Sequence, residues 1–148
     1  MNVNLLRVQK LREYMFDVIR LINENIKQIN VDMLDNDINN YSLDKVPTES
    51  VVEKWVTGTE IHRDVFSFRS RTEYSQDVMT NLENIGLFET LESIINSNNK
   101  EGILPDIEGI EEIRCLNCGT MISGETKTAV FNIEIQITYK VLGGKNGI

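Results

Sequence analysis

Residues 66–89 read F-S-F-R-S-R-T-E-Y-S-Q-D-V-M-T-N-L-E-N-I-G-L-F-E, and the apolar period changes inside this stretch. Phe66 and Phe68 alternate with Ser67 and Arg69, the two-residue period of a strand with one dry face. From Val78 onward the period is helical: Val78, Met79, Leu82, Ile85, Leu87, Phe88, Leu91, Ile94 and Ile95 form one stripe that runs to about Asn96. Between the two lies Ser75, a good N-cap, with Asp77 in the first turn where the helix dipole favours an acid. A strand therefore runs directly into a helix. Gly86 inside that helix costs about 1 kcal/mol against Ala, which predicts a bend or break there. The polar run N-S-N-N-K-E-G, followed by Leu104-Pro105, predicts the end of the helix and a surface loop over Asn96–Asp106.

Upstream, Val51–Val56 reads as a strand joined to a second, Ile61–Arg69, by T-G-T-E, where Gly58 supplies the positive φ of a tight turn. In the second strand Ile61, Arg63, Val65, Ser67 and Arg69 share one face. His62, Asp64, Phe66 and Phe68 share the other, and the two phenylalanines are expected under a helix. Val8, Leu11, Met15, Val18, Ile22, Ile26 and Ile29 recur at three- and four-residue steps, predicting an amphipathic helix from about Asn4 to Gln28. Its charged outer face would also suit a coiled coil, but a lone helix followed by strands points to core packing. Asn30–Ser50 is rich in Asp and Asn, which bond their own backbone, so it reads as a loop with one short strand at Tyr41–Val46. Downstream, Phe131, Ile133, Ile135, Ile137 and Tyr139 alternate strictly with polar residues, and Ile110–Met121 is the expected partner strand, joined through I-S-G-E-T-K-T. The closing G-G-K-N-G-I, residues 143–148, reads as a flexible tail. The order predicts one α+β domain over residues 1–142: an antiparallel sheet with both helices on one face and Arg63, Arg69, Glu134, Gln136 and Lys140 on the other.

The 148 residues suit a single domain, and 41% apolar with 26% charged is an ordinary globular balance. A net charge of −8 argues against a surface built to hold nucleic acid. No stretch reaches the ~20 apolar residues of a membrane span, and the first residues lack the basic and apolar segments of a leader, so a cytosolic product is expected. Cys115 and Cys118 form one C-x-x-C. Zinc normally takes four ligands, and the only histidine, His62, is distant, so two reduced thiols beside a turn are expected, with a site shared between subunits the sole route to metal. Asp32, Asp35 and Asp37 superficially suggest a calcium loop, but its sixth-position Gly and closing Glu are missing. No carboxylate pair, phosphate loop, nucleophile elbow or zinc-helix motif occurs, so no catalytic residue and no cofactor is assigned, and replacement of His62 would have to abolish an activity to revive an enzyme reading.

Three segments carry a resemblance: Ile29–Glu49, Val65–Glu89 and Phe131–Lys140. They resemble the minor capsid, or tail terminator, proteins of tailed phages and prophages of Gram-positive bacteria, in the same order along most of the chain. The C-L-N-C-G-T-M-I-S-G segment, Cys115–Gly124, departs from that pattern and leaves the thiols without a family role. The resemblance implies a sheet with helices packed on it and a ring, expected to be hexameric, that caps the head-proximal end of the tail tube. Such a ring stops tube polymerisation and docks the head-tail connector; in a contractile particle it would also meet the sheath. DNA passes through without specific binding, which suits an acidic chain. The implied location is the virion, after assembly in the host cytoplasm. Candidate contacts are the loops Val31–Asn40 (Asp35, Asn36, Asp37) and Asn96–Asp106 (Asn98, Lys100, Asp106), the turn Gly119–Lys127 (Thr120, Glu125, Lys127), and Arg63 and Arg69 on the sheet. The competing expectation is a small-molecule-binding or regulatory module with its ligand between helices and sheet.

Overall fold

The computed structural model describes residues 3–22, 29–31, 40–73, 78–116, 120–124 and 128–143. The order is α1 (Val3–Ile22), β1 (Asn30–Val31), β2 (Asn40–Val46), β3 (Val51–Lys54), β4 (Glu60–Glu73), α2 (Val78–Glu101), β5 (Ile110–Cys115), β6 (Thr120–Gly124) and β7 (Thr128–Val141). This is an α+β fold with one sheet and two helices.

The sheet is built on its two longest strands. β4 and β7 pair antiparallel along their whole length, from Glu60 opposite Val141 to Glu73 opposite Thr128. Each is flanked by two shorter strands in line. β2 and β3 divide the outer edge of β4, and β5 and β6 divide that of β7. The segment expected as one strand, Ile110–Met121, is therefore two, and the expected strand Ile61–Arg69 extends at both ends. β1 adds two residues parallel to β2, so the sheet is antiparallel except at that edge.

The alternation in β7 has the expected consequence. Phe131, Ile133, Ile135, Ile137 and Tyr139 are buried and stand opposite Phe66 and Phe68 of β4 on one face. Both helices cover that face: Leu11, Tyr14, Met15, Val18 and Ile19 from α1, and Phe88, Leu91 and Ile95 from α2, join the same core. The rings of Tyr41 and Phe68 stack at 5.7 Å, and Phe88 meets Phe131 at 5.6 Å. Burying each such ring stabilises the fold by about 2–3 kcal/mol. α1 is described to Ile22; the rest of the helix expected to Gln28, and Ser75 and Asp77 before α2, lie outside the described residues.

Two expectations about α2 are corrected. The helix is continuous through Gly86, where a Cβ would meet nothing within 4 Å. It also runs through the polar stretch to Glu101, because those side chains have tertiary partners: Asn98 Nδ2 donates to the Tyr14 hydroxyl at 3.3 Å, and Asn99 Oδ1 accepts from the Ile113 amide at 3.1 Å. Gly102, at φ 77°, then ends it, with the Ile103 amide donating back to the Asn98 carbonyl at 2.8 Å. That is a glycine C-cap closing the last turn.

Candidate functional site

No helix among the described residues covers the second face of the sheet. Register places Ser42, Asp44 and Val46 of β2, Ile61, Arg63, Val65, Ser67, Arg69 and Arg71 of β4, Asn132, Glu134, Gln136, Thr138 and Lys140 of β7, and Glu112 and Arg114 of β5 on it. Its polar groups are tied sideways within the plane. Arg69 Nε donates to the Asp44 carboxylate, which also accepts from Ser42 Oγ at 2.6 Å. Ser67 Oγ donates to Asn132 Oδ1, and Arg63 Nε donates to the Glu49 carbonyl at 3.2 Å. Lys140 Nζ lies 4.0 Å from Glu111 and 4.9 Å from the centre of the Trp55 ring. Such a surface holds cations in fixed positions and offers hydrogen bonds to whatever covers it.

At one end of this face stands the β3–β4 hairpin. All of Val51–Lys54 is exposed, and Trp55, 40% exposed, and the fully exposed Val56 follow. The turn is firmly made: the Trp55 amide donates to the Thr59 carbonyl at 2.7 Å, and Gly58 adopts φ 90°. The Gly143 amide donates to Thr59 Oγ1 at 3.2 Å, with its backbone so close to Gly58 that no Cβ would fit. Exposed Leu142 lies next to it in the chain. β3 pairs only with β4 among the described strands, so this is an apolar edge strand. The sequence carried a signal that was missed: Val51-Val52 and Trp55-Val56 are adjacent apolar pairs, and alternation cannot turn both members of a pair inward.

On the core face, among the described residues, the Asp64 carboxylate is buried. Asp64 accepts an ion pair from Arg7 Nε at 3.4 Å and another from Lys45 Nζ at 3.8 Å, and the Tyr139 hydroxyl stands 3.5 Å away. The Arg7 guanidinium also lies 4.5 Å over the Tyr139 ring. Burial pushes the Tyr139 pKa up to about 12, aided by the Asp64 charge and opposed by that of Arg7. The His62 ring lies tilted against that of Tyr139, centres 5.5 Å apart, and its Nε2 bonds Glu60 Oε1 at 2.8 Å. These groups come from α1, β2, β4 and β7, so no spacing in the sequence announces them. Their arrangement is a buried anion neutralised by two cations.

The sequence-predicted contact residues do not converge. Arg63 and Arg69 share the open face. Asn98 and Lys100 sit in the last turns of α2, not in a loop as expected, and Asp106 follows in the turn beyond, 3.7 Å from Lys10. Thr120 begins β6 opposite Asn132. Asp35, Asn36, Asp37, Cys118, Glu125 and Lys127 lie outside the described residues, as do Asp32 and the tail beyond Gly143. Cys115 ends β5, half-buried against the core. Among the described residues no group of three His, Cys, Asp or Glu side chains is placed to hold a metal ion, and no helix is long and apolar enough to cross a membrane. No protein-family model matches this chain, and no curated protein matches it.

Proposed function

We propose that this chain is a structural subunit of a phage tail or phage-tail-like particle, a tail terminator whose copies close into a ring on the head-proximal end of the tube. The observation that carries this reading is the exposed apolar hairpin. Val51, Val52, Trp55 and Val56 project from an edge strand of a strongly acidic chain, and apolar surface on an unpaired edge is what a repeated subunit contact buries. Its occupant is the neighbouring copy, set against it by the same rotation at each step so that the contact closes on itself.

The segments that resemble the terminator family support the reading further. They fall on β1–β2, on β4–α2 and on β7, parts of the sheet and the second of its two covering helices. The chain performs no reaction on this reading. The space between helices and sheet is filled by Phe66, Phe68, Phe88 and Ile133, and the carboxylate there is engaged by Arg7 and Lys45, which weighs against a small-molecule module.

Light scattering over a concentration series, with and without the tail-tube protein, tests the proposal. The expected mass is near six times that of the 17.0 kDa chain, either free or only with the tube present. A chain that stays monomeric or dimeric and ignores the tube would overturn it.

A further inference from the structure

Two surfaces of this molecule carry opposite charge. The open sheet face bears Arg63, Arg69, Arg71, Arg114 and Lys140 against Asp44, Glu112 and Glu134, an excess of cations on a chain whose net charge is −8. The outer side of α2 and the turn after it carry the reverse: Glu89, Glu101, Asp106 and Glu108 are all exposed, with Lys100 and, 3.7 Å from Asp106, Lys10 as the cations among them. Each surface also has an apolar anchor. Trp55 lies against Lys140 at the end of the basic face, and Ile103, 52% exposed, stands within the acidic band.

We propose that the open sheet face of one copy is covered by the acidic α2–β5 band of the next copy. This deepens the ring reading and rests on it. A second copy is the occupant the charges favour: it brings a helical layer of the kind that already packs on the other face of the sheet, and its acids meet the fixed arginines. The two surfaces lie on opposite layers of the chain, so the contact is heterologous and each copy offers both halves of it. The lateral bonds from Arg69 to Asp44 and from Arg63 to Glu49 order those side chains before contact, which lowers the entropy lost on docking.

Two double variants test this. Arg63→Glu with Arg114→Glu makes both surfaces acidic, and Glu101→Lys with Glu108→Lys makes both basic. All four positions are polar and solvent-facing to some degree, and retention of the parent's thermal unfolding transition checks the fold. Each variant alone is expected to self-associate at least about tenfold more weakly than the parent, and the parent itself to weaken as salt rises. An equimolar mixture of the two should regain assembly, because each then meets a surface of opposite sign. A ring that forms normally in both variants and ignores salt would overturn this contact while leaving the ring reading intact. Failure of the parent to assemble, with or without tube protein, would overturn both. Tight binding of the parent to duplex DNA, lost in the Arg63→Glu/Arg114→Glu variant, would also overturn it by assigning the basic face to nucleic acid.

Discussion

The two faces of the β4–β7 pair are made from the same strands and obey different rules. On one, Phe66, Phe68, Ile133, Ile135 and Ile137 are essentially without solvent contact and are held by two helices. On the other, Ser67, Arg69, Asn132 and Glu134 alternate with them residue by residue, and their bonds run sideways. The first face holds the molecule together by area removed from water. The second contributes little to folding and spends its chemistry on order and charge, which is what a surface awaiting a partner requires.

Adjacent residues can break this comparison. Phe68→Ala is expected to cost about 3–5 kcal/mol in chemical denaturation, through lost burial and the cavity left beneath α1 and α2. A cost under about 1 kcal/mol would mean that the helices do not seal that face. Asp64 is the polar exception on the core side, and Asp64→Asn should cost about 2–3 kcal/mol, because Arg7 and Lys45 would keep their charges with the buried anion gone. A near-neutral result would show that the two cations turn to water instead.

Tyr139 sharpens the same exception through pH. Its pKa in the folded protein, about 12, lies above the ordinary value of 10.0, so the folded state holds this proton more tightly than the unfolded chain. The contribution is fully present below pH 10 and is lost as pH rises through about 12, up to roughly 2–3 kcal/mol. Tyr139→Phe should flatten the alkaline fall in stability relative to the parent, and an unchanged slope would rule the group out. The smallest effect belongs to the open face: Ser67→Ala, next to Phe68, should shift stability by about 0.5–1 kcal/mol, the worth of one hydrogen bond at the surface. A loss approaching that of Phe68→Ala would mean that the polar face is as much a part of the fold as the core.

Much of the fold was legible because period and burial agree. The alternation in residues 131–139 and 66–68 and the helical stripes in α1 and α2 name their own dry faces. The misses share a cause: partners distant in sequence. Nothing local makes Asn30-Val31 pair in parallel with Ser42-Leu43, and nothing local divides β5 from β6. The end of α2 was misread because Asn98 and Asn99 look like loop residues until Tyr14 and Ile113 are placed beside them, although Lys100 and Gly102 already marked the true C-terminus. The interaction surfaces were legible only in part. Arg63 and Arg69 were found by their strand parity. The exposure of the hairpin was not, since Val51–Val56 was read as a strand with no face assigned to it, and the Asp64 cluster draws on four separate elements.

The pairing of β4 with β7 also governs when the protein can fold. The register joins Glu73 to Thr128 and Glu60 to Val141, with α2, β5 and β6 looped out between the two strands. Closing so large a loop must precede most of the reward, so folding should be slow for a chain of this size, in the millisecond-to-second range of about 1–1000 ms. During synthesis the phenylalanine-bearing strand leaves the ribosome long before its mate. Until Val141 has emerged, Phe66 and Phe68 belong to an unfinished sheet edge, and that interval is when the nascent chain is most exposed to pairing with the wrong neighbour.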